Sequence, residues 1–112
     1  MLGKYRHKNF SDENGNPAGG FAEGVGIDIR WQNGPLGTGE NRIEPNGAFV
    51  ETLLSIVADR IEFYQSSRFA CPENERALGH VWAAICALQE RTKKRDAAGV
   101  EGTHETIPGE GS

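Results

Sequence analysis

Residues 71–105 read CPENERALGHVWAAICALQERTKKRDAAGVEGTHE. Pro72 has the fixed φ and missing N–H that suit a first helical position, and Gly99 is the residue type that sits just past a helix end. Between them Asn74, Leu78, Val81, Ile85, Leu88, Thr92 and Arg95 recur at alternating steps of four and three, the spacing that keeps side chains on one helix face. This predicts a helix over about 73–98, roughly 39 Å long at about 1.5 Å per residue. Ala77 and Trp82 widen its stripe, which is apolar in the middle and polar at both ends. Asn74 and Arg95 mark those ends, where a pocket can form as the apolar seam gives out.

Upstream, GAFVETLLSIVADRIEFYQ (47–65) places Val50, Leu53, Leu54, Val57, Ile61 and Tyr64 on one helical face, with Asn46 as the capping residue. The short link from Gln65 to Cys71 predicts that the two helices pack antiparallel as a hairpin. Before them, FAEGVGIDIRWQ (21–32) alternates Ile27, Ile29 and Trp31 with Asp28, Arg30 and Gln32, the period of a half-buried strand. Asn33-Gly34-Pro35 marks a turn, and a short second strand is expected near Arg42 to Glu44. Ten of the 15 glycines precede Ala48, so the amino-terminal part is turn-rich. Residues 1–20 are polar and contain DENGN, the composition of weak order.

The fold class is therefore α+β: a small amino-terminal antiparallel β-sheet followed by a long antiparallel two-helix hairpin. Residues 21–105 form the folded domain, with a β part at about 21–45, the hairpin at about 47–98 and a closing segment at 99–105. Residues 106–112 form a flexible tail. Such a thin core relies on a partner subunit, so a homo-oligomer is expected.

The chain has 112 residues, 37% hydrophobic and 25% charged, and a net charge of −4. It has no apolar run long enough for a membrane span and its start lacks the apolar region of a secretory signal. A cytosolic protein follows. The negative charge argues against nucleic acid as a partner of the whole surface, because such binding neutralises phosphates with Lys and Arg. Four of the 12 basic residues nevertheless fall within Arg91 to Arg95. Cys71 and Cys86 lie about 22 Å apart along the predicted helix axis and cannot bridge within one chain. His7, His80 and His104 are scattered, so neither a metal site nor a cofactor is expected.

Arg91 and Arg95 are one turn apart and suit two-point recognition of a phosphate or pyrophosphate by planar guanidinium groups. They equally suit complementing the helix dipole. GVEGTHE brings two glycines that let backbone N–H groups turn toward an anion, with Thr103 and His104 as side-chain donors. The same residues also read as an ordinary helix stop. Phe63, Tyr64 and Phe69 near the hairpin turn can stack on a nucleobase or fill a core, and Asn74 can read a base edge, contact a phosphate or cap its helix. No nucleophile lies beside a base, and no phosphate loop or carboxylate pair is present, so no catalytic residue is assigned.

EFYQSSRFACPENERAL (62–78) and LQERTKKRDAAGVEGTHE (88–105) resemble the phage anti-Thoeris sponge family, which shares its helical hairpin domain with anti-CBASS sponges. IDIRWQNGPLG (27–37) and EPNGAFVE (44–51) extend the resemblance to about Gly20 through Glu105. It implies a phage immune-evasion protein that works in the host bacterial cytoplasm. Such a protein binds a cyclic nucleotide messenger without cleaving it: glycocyclic ADP-ribose, and in some members cyclic di- or trinucleotides. It also implies sites between the subunits of a dimer or a dimer-based larger assembly. Carried over by position, Arg91 and Arg95 hold phosphates, Tyr64 stacks on the base with Phe63 beside it, and Asn74 bonds near the phosphates. Thr103 and His104 match the closing motif. The other reading the residues allow is a helical-hairpin interaction protein whose basic end binds a partner or nucleic acid, and a third is a hydrolase of the same messenger.

Overall fold

Three strands come first in chain order: β1 (Tyr5–Ser11), β2 (Pro17–Gly24) and β3 (Ile27–Trp31). They form one antiparallel sheet in the order β1-β2-β3. A 3₁₀ turn at Gly39–Asn41 follows, and then helices α1 (Val50–Gln65) and α2 (Pro72–Ala97). This computed structural model describes residues 1–111. It divides into two units: one holds the sheet, the loops to Phe49 and the segment from Ala98 onward, and the other holds the helices Val50–Ala97. The α+β layout expected from the sequence is present.

The sheet unit is held by its backbone more than by an apolar face. Tyr5 pairs with Gly24, Lys8 with Phe21 and Asn9 with Gly20 across β1 and β2, and the register shifts between Asn9 and Ser11. Gly20 lies at this irregularity with φ +143°, and a Cβ there would run into the Lys8 carbonyl. Only glycine fits. Across β2 and β3, Phe21 opposes Arg30 and Glu23 opposes Asp28.

On that face Glu23 accepts from Arg6 Nη2 and from Arg30 Nη2, each at 3.1 Å. The Arg30 guanidinium also lies 5.2 Å from the Phe21 ring centroid, and Lys8 Nζ lies 5.8 Å from that of Phe10. Every residue of β1 is exposed. The polar composition of residues 1–20 suggested weak order, yet residues 5–11 and 17–20 are paired strand. Backbone ladders and surface charge pairs hold this segment without a fully buried residue.

Two further expectations are corrected in the same unit. The stretch 42–44 is not strand: Ile43 N donates to Leu36 O at 2.7 Å inside a loop. Asn46 does not cap α1. Its Oδ1 accepts from Asn33 N at 2.8 Å, its Nδ2 donates to Asn33 O, and its own N donates to Gln32 Oε1. Ala48 then bridges Trp31 beside β3, so the chain stays extended and α1 starts only at Val50.

In the helical unit the seven-residue stripe of α2 is the packed face. Asn74, Leu78, Val81, Leu88 and Thr92 are half-buried, and Ile85 and Arg95 are buried. On α1 the packed residues are Leu53, Leu54, Ala58 and Ile61, with Ala58 fully covered. Val50, Val57 and Tyr64, expected on the same face, lie exposed, and so does Trp82 on α2. A small residue at position 58 lets two helices approach closely, and one thin seam covers few large side chains. The hairpin thus leaves Val50, Ile56, Val57, Phe63, Tyr64, Phe69 and Trp82 open. Gly99 follows α2 with φ +75°, the left-handed stop its position predicts.

Candidate functional site

The turn between the helices is rigidly stapled by side chains. Gln65 Nε2 donates to Cys71 O at 3.1 Å, and Gln65 Oε1 accepts from Cys71 N at 3.0 Å. Ser67 Oγ donates to Tyr64 O at 2.6 Å and accepts from Phe69 N at 3.1 Å. Asn74 Nδ2 reaches the Phe69 carbonyl at 3.4 Å. These bonds satisfy the loose ends of both helices and fix the backbone that carries Tyr64 and Phe69.

On this frame sit the three candidate aromatics. Phe63 and Phe69 are 60% and 65% exposed and Tyr64 is 39% exposed. Phe63 and Tyr64 are tilted at 54°, with centroids 6.1 Å apart. Two guanidinium groups accompany them: Arg60 lies over both the Phe63 and Tyr64 rings, and Arg68 lies 4.8 Å over Phe69. The sequence reading passed over both arginines. Their spacing was a usable signal, since Arg60 precedes Phe63 and Tyr64 by three and four residues, one helical turn. Gln65 and Ser67, which hold the turn, carried no such signal.

The other end of α2 is basic. Arg91, Lys93 and Lys94 are exposed, with Lys94 Nζ 3.4 Å from Glu90 Oε1. Arg95 differs from its neighbour one turn back, being only 6% exposed. A charge buried to that degree is tolerated only with hydrogen-bonding partners. Arg91 is therefore the solvent-facing member of the pair. From Asn74 to Arg91 is about 26 Å along the axis at about 1.5 Å per residue, so one hairpin does not bring its aromatic end and its basic end together.

The closing motif belongs to the sheet unit. Val100 is buried, and Gly37 N donates to Gly102 O at 2.9 Å. Gly102 has φ +83°, and a Cβ there would collide with the Gly37 carbonyl, so this close docking requires glycine. Thr103 Oγ1 donates to Val100 O at 2.6 Å and accepts from Glu105 N at 3.1 Å; its hydroxyl proton is engaged inside the motif. His104 is exposed, with Nδ1 3.4 Å from Asn16 Nδ2. Asn16 in turn closes on Asp12, whose Oδ1 accepts from Asn14 N and Asn16 N, both at 2.9 Å. The Asn16 backbone bond above all holds the Asp12 carboxyl below its ordinary pKa, with lesser help from Asn14, the Asn16 side chain and the charge of His104, and against some burial.

An open cleft of about 410 Å³ lies at the end of the β1-β2 hairpin, lined by Lys4, Tyr5, Arg6, Glu23, Gly24 and Val25. None of these is a predicted site residue. Arg6 and Glu23 there are paired to each other.

Fold and side chains thus define a small α+β protein with exposed ring and guanidinium groups at one end of a helical hairpin and an exposed basic cluster at the other. The chain is 42% identical over 77 residues to "Thoeris anti-defense 1" from Bacillus phage SBSphiJ7, an alignment that covers 69% of this chain and 51% of that protein. That homologue is a phage protein named for anti-Thoeris defence, which supports placing the chain in the anti-Thoeris family. The chain spans about half the length of the curated relative it matches. No protein-family model matches the chain. Among the described residues, no helix is long and apolar enough to cross a membrane.

Proposed function

We propose that this chain evades host immunity by binding a nucleotide messenger, glycocyclic ADP-ribose, and holding it uncleaved in the host bacterial cytoplasm. Cyclic di- and trinucleotides are further candidate ligands. The observation that carries the reading is the 42% identity to a phage protein named for anti-Thoeris defence. The chemistry of the hairpin agrees with it. Exposed rings at the turn suit a base, and the cations at the far end suit a diphosphate.

Because those groups lie at opposite ends of one hairpin, the site is assigned between two copies. Tyr64, Phe63, Phe69 and Asn74 come from one copy, and Arg91 with Arg95 from the other. The exposed apolar residues Val50, Val57 and Trp82 give the second copy a surface to cover. Holding a messenger at nanomolar concentration takes about −12 kcal/mol, which a stacked base, a paired diphosphate and burial between subunits together can supply.

The test is retention. The protein is incubated with glycocyclic ADP-ribose, free ligand is removed by filtration, and the protein is denatured to assay what it releases. Intact messenger is the expected result. Degraded messenger would make the chain a hydrolase, and no retention would leave the exposed Arg91, Lys93 and Lys94 to a macromolecular partner.

A further inference from the structure

The Arg60 guanidinium carbon lies 5.1 Å from the Phe63 ring centroid and 4.9 Å from that of Tyr64. Its Nε donates to the Tyr64 hydroxyl at 3.2 Å. Both distances fall within the range of cation–π attraction, and the hydrogen bond adds a second restraint on the same ring. Tyr64 is held at two points, its face and its hydroxyl, whereas Phe63 is held at its face alone. The ring of Tyr64 is thereby fixed as a platform before any ligand arrives.

Arg60 is exposed, and among the described residues no carboxylate pairs with it. A guanidinium has five N–H donors in a planar fork. The Nε–H is engaged by Tyr64, which leaves the Nη1 and Nη2 donors beside two exposed aromatic rings. A fork of unpaired donors flanked by ring faces matches a ligand that is aromatic and anionic at once, such as a nucleotide.

We infer that Arg60 is a ligand-binding and positioning residue of the nucleotide site: it locks Tyr64 as the base-stacking ring and presents its Nη donors to an anionic oxygen of the same ligand. This rests on the messenger-binding reading above and assigns within it a residue carried over from no relative. It also settles the choice between the adjacent rings in favour of Tyr64. Phe63 contributes apolar wall on the other side of the guanidinium.

The experiment is calorimetric titration of glycocyclic ADP-ribose into the full chain and into Arg60→Ala, Arg60→Lys, Tyr64→Phe and the Arg60→Ala/Tyr64→Phe double variant, each checked by thermal melting. Because Arg60 is exposed, Arg60→Ala is expected to melt as the unmodified chain does while its Kd rises about ten-fold or more, the worth of one charge-assisted bond. Arg60→Lys is expected to bind closer to Arg60→Ala than to the unmodified chain, since an ammonium cannot both stack and fork. Tyr64→Phe is expected to weaken binding on its own and to add nothing once Arg60 is gone, because its hydroxyl acts through Arg60. Unchanged Kd in Arg60→Ala, full binding by Arg60→Lys, or additive losses in the double variant would each overturn the assignment and leave messenger binding standing. Failure of the unmodified chain to bind would instead remove the reading beneath it.

Discussion

Asn74 and Arg95 stand at opposite ends of one packed face of α2, 21 residues and about 31 Å apart at about 1.5 Å per residue. Both belong to the set that the family resemblance gathers around one ligand. Within one rigid helix no rotamer closes that gap, so any pocket using both ends needs two chains. Complementation tests this. Tyr64→Ala and Arg91→Ala are each expected to lose retention of glycocyclic ADP-ribose. Co-refolded in equal amounts, they are expected to regain roughly a quarter of full capacity, because half of the dimers are mixed and one of the two sites in each is unaltered. No recovery on mixing would refute a site built from opposite ends of two copies.

The two arginines of the basic end should separate by stability. Arg95 is buried and Arg91 exposed, so truncating Arg95 strands the groups that satisfy it, at a cost of about 2–5 kcal/mol. Arg95→Ala is therefore expected to lower the melting temperature by several degrees or more, and Arg91→Ala by little. Loss of ligand binding in Arg95→Ala would then reflect the fold as well as the site, and Arg91→Ala is the cleaner probe of phosphate contact. Equal melting temperatures for the two variants would contradict the burial of Arg95.

The difference between these arginines was half-written in the sequence. Arg95 falls on the four-three stripe with Leu78, Ile85 and Leu88, and every member of that stripe is packed, because burial at helical period leaves a mark that residue types reveal. Arg91 and Arg95, one turn apart, read as one clamp; only packing tells a side chain at the seam from one at its border. Strand β1 left no such mark. YRHKNFS has no apolar face, its residues are all exposed, and its pairing runs through backbone groups that every sequence possesses. Asn46 carried the right chemistry for a cap, but Asn33 and Gln32 compete for its hydrogen bonds, a contest between residues more than ten positions apart. Arg60 was legible by spacing to Phe63 and Tyr64, yet an arginine on an amphipathic helix ordinarily meets only water.

The seam of the hairpin depends on Ala58, which has no exposed surface. A larger side chain must push the helices apart or force strained rotamers, at a cost of about 1–3 kcal/mol. Ala58→Leu is expected to lower the melting temperature, whereas Ala83→Leu, on the exposed side of α2, is expected to change it little. Equal tolerance of both changes would mean that the helices do not pack through position 58.

Closure of the sheet unit should fail at Gly102. Alanine there would need a left-handed backbone and would meet the Gly37 carbonyl, two independent penalties that together exceed about 1 kcal/mol. Gly102→Ala is expected to speed hydrogen exchange at the Gly37 amide, which donates to Gly102 O, while amides in the middle of α2 keep their protection. Unchanged exchange at Gly37 would show that the loop and the closing motif do not depend on each other.

Asp12 gives the amino-terminal turn an acid limit. Its carboxylate accepts from the Asn14 and Asn16 backbones, and its pKa is lowered, chiefly by the Asn16 bond. The folded turn therefore binds the Asp12 proton more weakly than the unfolded chain does. The stabilisation is fully present above the ordinary carboxylate range and disappears as pH falls through the lowered value. In an acid titration followed by NMR, the Asn14 and Asn16 amide resonances are expected to move together, with a midpoint below the ordinary range of an aspartate carboxyl. Asp12→Ala is expected to abolish that shared transition. A midpoint at or above the ordinary aspartate range would mean that the carboxylate does not close the turn, and that the β1-β2 connection is held by the backbone bonds Asp12 N to Asn16 O and Gly15 N to Asp12 O alone.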